Sequence, residues 1–99
     1  MKNPIEQLNK IFESRIRLGI MSSLIMNNRT NFNELKELIG VTDGNLASHM
    51  KTLEETGYVQ VEKGFIGRKT NTTYVITSAG KKAFKTHLDA LEKMIRSLD

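Results

Sequence analysis

The stretch Val41-Thr42-Asp43-Gly44-Asn45-Leu46-Ala47-Ser48-His49-Met50-Lys51-Thr52-Leu53-Glu54-Glu55-Thr56-Gly57-Tyr58-Val59 decides the fold. Leu46, Met50 and Leu53 recur at helical spacing, Thr42 stands where an N-cap accepts an amide hydrogen bond, and Gly57 supplies the stop. Just upstream, Phe32 and the run Leu35, Leu38, Ile39 predict another helix, capped by Asn31 or Asn33 and ended at Gly40. Gly40-Val41-Thr42 is then a tight connection, and residues 32–57 read as a helix-turn-helix. At roughly 100° per residue, the face opposite the apolar stripe carries Gly44, Ser48, Lys51 and Glu55, flanked by Asn45 and Thr52. His49 falls nearer the core flank.

Working outward toward the C-terminus, Tyr58, Val59 and Val61 precede Lys63-Gly64-Phe65, and Thr72 to Ile76 is rich in β-branched and aromatic residues. With Gly67 to Asn71 as the turn, residues 58–77 form a hairpin with a basic tip. Thr77 or Ser78 caps a last helix over residues 78–98, in which Phe84, Leu88, Leu91, Ile95 and Leu98 follow the 4-3-4-3 spacing of a coiled-coil seam. Toward the N-terminus, Pro4 opens a short helix carrying Ile5, Leu8, Ile11 and Phe12. Ser14 caps a second helix, with Ile16, Ile20 and Leu24 repeating every four residues beside Met21 and Ile25, and Asn27-Asn28-Arg29 breaks it. The predicted order is four helices, two strands and a helix: a mainly α fold with a small β-hairpin, one domain over residues 1–99. Ile5, Leu8 and Phe12 with Leu88, Leu91, Ile95 and Leu98 are the expected dimer interface, because the seam is longer than a three-helix core requires.

Composition narrows the function classes. Of 99 residues, 38% are hydrophobic and 26% charged, and no apolar run approaches the roughly 20 residues that span a bilayer. Met1-Lys2-Asn3-Pro4 leads straight into a pattern holding Glu6 and Lys10, which no secretory segment tolerates, so a cytoplasmic protein without membrane contact is expected. The absence of cysteine excludes disulfides, thiolate metal sites and a cysteine nucleophile. A net charge of +4 points only weakly to a polyanion, since residues 41–77 hold four basic and four acidic side chains. Placement matters more: Lys63, Arg68 and Lys69 crowd together while Glu54 and Glu55 sit at the far end of a helix.

Enzymatic chemistry needs converging acids, bases or nucleophiles, and the two histidines, His49 and His87, lie in no catalytic or phosphate-binding motif. His87 and Asp89, two apart on a helix, face different sides, so no metal site is expected and both are read as surface residues. Met21, Met26, Met50 and Met94 fit apolar stripes as core filling, and no cofactor follows.

The segment from Val41 to Val59, continued through Gly67-Arg68-Lys69 and Thr77-Ser78-Ala79-Gly80, resembles the MarR-like winged helix-turn-helix regulators, and Ser14 to Leu24 resembles their usual second helix. The resemblance covers nearly the whole chain. It implies a three-helix core, a wing, and terminal helices that join a homodimer, with the fourth helix in the major groove of double-stranded DNA and the wing at phosphates or the minor groove. Full-length MarR regulators are longer and bind small aromatic ligands near the dimer interface; whether this chain has an effector stays open.

Independently of the resemblance, the residue types suit DNA. Asn45 can pair with adenine, Ser48 and Thr52 can bond base edges or phosphate, Lys51 favours guanine or phosphate, and Gly44 leaves the helix start free of bulk. At the wing, Gly67 permits close approach, Arg68 offers a fork to phosphate, Lys69 adds charge, and Thr70 with Asn71, Thr72 and Thr73 adds neutral donors. Arg15 and Arg17 are assigned to structure or solubility. The expected function is a sequence-specific DNA-binding transcriptional regulator on a pseudo-palindromic operator; the alternative is a winged-helix protein-docking module, which would show an apolar patch on the recognition face.

Overall fold

Each α-helix begins on a side chain that accepts an otherwise unpaired amide. Ser14 caps α1 (Arg15–Asn27), Asn31 caps α2 (Phe32–Ile39), Thr42 caps α3 (Asp43–Glu55) and Thr77 caps α4 (Ser78–Arg96). The structure, a computed structural model, describes residues 3–98; Met1, Lys2 and Asp99, which belong to the expected 1–99 domain, lie outside the described residues. Strands β1 (Arg29–Asn31), β2 (Val59–Ile66) and β3 (Lys69–Ile76) form one antiparallel sheet in the order β1-β3-β2. Phe12, Ile20, Met21, Leu24, Leu35, Leu46, Met50, Leu53, Val59, Tyr74, Ile76 and Phe84 make a single buried cluster that joins the four helices to β2 and β3.

Several sequence-based expectations change. The N-terminal segment is two 3-10 turns, Pro4–Gln7 and Lys10–Phe12, instead of a helix. Asn9 between them is extended and tied three ways: its N–H donates to His87 Nδ1 (3.0 Å), its amide nitrogen to the Tyr58 hydroxyl (2.9 Å), and its Oδ1 accepts from Ile11 N (3.0 Å). Those long-range bonds override local helical spacing. The chain after Asn28 does not simply break the helix, since Arg29, Thr30 and Asn31 pair with Val75, Tyr74 and Thr73. The wing turn is only Gly67-Arg68, with Gly67 at φ +63, so Lys69, Thr70 and Asn71 are strand residues.

The inner face of α4 runs beside the expected dimer seam and shares only Phe84 with it. Gly80, Phe84, His87 and Ala90 are its buried residues, whereas Leu88, Ile95 and Leu98 are exposed and Leu91 is half-buried. Phe12, expected at the dimer interface, is fully buried within the protomer, stacked on Tyr58 and edge-on to Phe84 and His87. His87, expected at the surface, is 3% exposed. Met26, expected in the core, projects into solvent from the last turn of α1, while Met21 and Met50 are buried as expected.

Because a backbone N–H can only donate, the His87 Nδ1 that accepts it is unprotonated. Burial lowers the His87 pKa below its ordinary value, partly offset by Glu13; burial and Arg17 lower that of His49. A depressed folded-state pKa contributes stability that is complete above the unfolded value of about 6.5 and is lost as pH falls through the folded value. Chemical denaturation followed from about pH 7.5 to 5 should therefore show a falling midpoint. His87→Gln, which keeps an acceptor without titrating, should flatten that fall, leaving the His49 contribution. An identical pH profile in this variant would contradict the assigned role of His87.

Candidate nucleic-acid interface

Helix α3 is held from both ends. Thr42 Oγ1 accepts from Asn45 N (3.2 Å), Lys36 of α2 pairs with Asp43 at 2.7 Å, and Gly40, at φ +74, turns the chain between the two helices. At its other end Tyr58 N bonds Leu53 O and Gly57 N bonds Glu54 O, with Gly57 at φ +86; this Schellman closure sends the chain directly into β2. Leu46, Met50 and Leu53 point inward, so the outer face is set by default.

That outer face carries the expected residues. Gly44, Asn45, Ser48 and Lys51 are exposed and Thr52 is half-buried. The Thr52 hydroxyl donates back to Ser48 O at 3.3 Å, so only its lone pairs remain to offer an outside donor. Lys51 is loosely paired with Glu55, 3.9 Å away, an exposed contact that its long side chain can leave at little cost. A Cβ at Gly44 would meet open space, so glycine is not demanded there by the protein's own packing.

His49 is taken up structurally: Arg17 Nη1 lies 2.9 Å from its Nδ1, and Arg17 Nε donates to Ile11 O. Arg17 thus ties the N-terminal turns to α3, in keeping with its assignment to structure.

The hairpin keeps its register to the tip, from Val59↔Ile76 through Phe65↔Thr70 to Ile66↔Lys69. Strand alternation puts Val59, Val61, Lys63 and Phe65 on one face with Thr70, Thr72, Tyr74 and Ile76. Gln60, Glu62, Gly64 and Ile66 share the other face with Lys69, Asn71, Thr73 and Val75. Of the expected wing residues, Gly67 and Arg68 therefore occupy the turn, Thr70 the first face and Lys69 the second. Glu62 is engaged by Arg29 at 2.6 Å, while Lys63, Arg68 and Lys69 make no ion pair among the described residues.

Between α3 and the first face of the wing runs an open cleft of about 360 Å³ lined by Ala47, Lys51 and Glu54 from the helix and Lys63, Thr72 and Tyr74 from the strands. It joins the outer face of α3 to the hairpin as one surface. Ala47 was not among the residues singled out from the sequence, whereas Lys63 and Thr72 were named there for the charge and the donors of the wing; extending the period of two from Val59 places Lys63 on this face. Among the described residues no group of three or more His, Asp or Glu side chains could hold a metal ion, and no helix is long and apolar enough to cross a membrane.

A profile described as "Winged helix DNA-binding domain" matches residues 16–95, four helical segments and the wing included. The chain belongs to the winged helix DNA-binding domain family. An uncharacterized protein of Methanocaldococcus jannaschii is 37% identical over 90 residues, covering 91% of this chain and 98% of that one. Among solved structures, a transcriptional regulator homologue from Pyrococcus horikoshii superposes with a TM-score of 0.87 at 32% identity, covering 100% of this chain and 99% of the other. A protein from Enterococcus faecalis assigned to the MarR family of transcriptional regulators superposes with a TM-score of 0.74 at 20% identity, over 90% and 79% of the two chains, a likeness of fold. The winged helix of this chain is MarR-like in fold, and the family to which the chain belongs is one of DNA-binding domains.

Replacing Arg68 and Lys69 together with Ala should weaken binding to specific and random duplexes alike. The log–log salt dependence should flatten by about one unit for each phosphate that is no longer neutralised. Fluorescence anisotropy across a salt series measures this, and an unchanged slope in the double variant would remove both residues from the interface.

Proposed function

We propose that this winged helix chain is a sequence-specific transcriptional regulator that binds double-stranded DNA as a homodimer. The observation that carries the reading is the continuity of the polar outer face of α3 with a hairpin whose cations are left unpaired. In this reading α3 lies in the major groove. Asn45, Ser48 and Lys51 meet base edges or nearby phosphates, Gly44 lets the backbone come close, Thr52 accepts at the margin, and Gly67, Arg68, Lys69 and Thr70 hold the flanking phosphates. A face without exposed large apolar residues on α3 favours DNA over a docked protein at that helix. The compartment that follows from such a role is the cytoplasm.

A two-fold partner would cover the apolar side chains that the fold leaves in water. Leu88, Ile95 and Leu98 on or just past α4 are 42%, 65% and 84% exposed, and Ile5 beside them is 60% exposed, with Leu8 and Leu91 half-buried. Phe12 has no part in this surface, being inside the protomer's own core. A two-fold axis through α4 implies a pseudo-palindromic site with half-sites about one helical turn, roughly 10 base pairs, apart.

Selection from a random duplex library with the purified protein, followed by sequencing, tests the function: enrichment of one inverted repeat is expected, and recovery of no enriched sequence would contradict it. Light scattering tests the assembly. The wild type should give a dimer mass at micromolar concentration, and Leu91→Glu with Ile95→Glu should give a folded monomer that loses most DNA affinity. A monomer mass for the wild type, free and on DNA, would overturn the dimer.

A further inference from the structure

The tip of the wing holds two large apolar side chains with nothing to pack on. Phe65 is 73% exposed and Ile66 65% exposed, both outside the buried cluster, on a ribbon whose pairing continues to Ile66↔Lys69. The turn needs only Gly67 for its positive φ, so folding does not explain an aromatic ring one step below it. Two adjacent large apolar side chains left in water at the end of a rigid arm offer a contact surface.

Its surroundings specify the partner. Lys63 is on the same face as Phe65, Arg68 stands in the turn and Lys69 follows it on the opposite face, none of the three ion-paired among the described residues. The nearest carboxylate along the strand, Glu62, is on the opposite face and bound to Arg29. An apolar wedge ringed by free cations matches a polyanion with an apolar interior, which is what a stacked base step between two phosphate strands presents. A lipid surface shares that chemistry, but the direction of the ring favours DNA: Phe65 and Thr70 continue the face on which Lys63 and Thr72 line the cleft with Ala47 and Lys51 of α3. Reach agrees as well. Phe65 lies about 20 Å along the strand from Val59 at the core, comparable with half of a roughly 34 Å helical turn, the offset between a major groove and the neighbouring minor groove.

We propose that Phe65 enters the minor groove beside the half-site as a wedge, partly unstacking one base step and bending the duplex, with Lys63 and Arg68 on the flanking phosphates. This rests on the DNA-binding reading above. Flexible pyrimidine–purine steps should be favoured at that position although no hydrogen bond reads them.

The test uses the duplex recovered by selection, with 2-aminopurine placed in turn at each position outside the half-sites, and donor–acceptor dyes at its ends to report bending. Wild-type protein should raise 2-aminopurine emission at one step on each side and shorten the end-to-end distance. Phe65→Ala, at an exposed position, should fold normally, bind several-fold more weakly with an unchanged salt slope, and lose both signals; Phe65→Leu should retain most of each. Wild-type and Phe65→Ala proteins with equal affinity and equal bend would overturn the wedge while leaving DNA binding intact. Failure of the wild type to bind any duplex would instead sink the underlying reading, and the wedge with it. Phe65-dependent binding to phosphatidylserine–phosphatidylcholine vesicles, with no change on DNA, would replace the wedge with a membrane contact.

Discussion

The rest of the structure depends on one close approach of backbone to backbone. A Cβ at Gly80 would stand 2.2 Å from the Tyr58 carbonyl oxygen and 3.0 Å from its carbon, so only glycine allows α4 to lie against the root of the wing. Thr77 completes the joint: its N–H donates to that same carbonyl (3.1 Å), its hydroxyl donates to Gly57 O (2.7 Å), and its oxygen accepts from Gly80 N (2.9 Å). The end of α3, the start of β2 and the first turn of α4 are thereby fastened at one point. Phe12 reinforces it from below by packing on Tyr58, Phe84 and His87. Two arms, the wing and α4, leave this joint and carry the Cα radius of gyration to 14.9 Å, against about 13 Å for a compact chain of this size.

Energetics divides the labour between core and surface. Fully burying one large apolar side chain contributes about 1.5–3 kcal/mol, and the buried cluster holds a dozen hydrophobic residues that set how α3 and the wing are aimed. Exposed pairs such as Arg29–Glu62 and Arg96–Glu92 contribute about 0–1 kcal/mol each and scarcely affect that geometry. What the ion pairs do decide is which charges remain free. Glu62 is neutralised by Arg29 on the outer face of the wing, so the field at the tip is positive even though residues 41–77 carry as many acids as bases.

Much of this was legible in the residues because it is local. A cap needs a Ser, Thr or Asn one step before an apolar stripe, and Ser14, Thr42, Asn31 and Thr77 all satisfy that rule; the stripe of Leu46, Met50 and Leu53 similarly aims the outer face of α3 without knowledge of the rest. Features set by distant partners were not legible. Asn9 takes its extended shape from Tyr58 and His87, residues far along the chain, and the bond to His87 holds that side chain inward. A strand as short as β1 has no period to read and exists because β3 offers it an edge. The inner face of α4 was hidden for a different reason: it runs through Gly80, Phe84, His87 and Ala90, of which only Phe84 belongs to the regular Leu and Ile seam that the spacing makes visible. Phe65 was read only as part of the hairpin, because an exposed aromatic looks, in a sequence, like any other strand residue.

Whether α3 and the wing act as one DNA surface is tested most directly by backbone-amide NMR during titration with the selected duplex. The amides of residues 43–52 and of the hairpin from Lys63 to Thr72 should shift together, with a shared dissociation constant, while those around the exposed Leu38 on α2 stay still. Shifts gathered around Leu38, or on α3 without the hairpin, would contradict it.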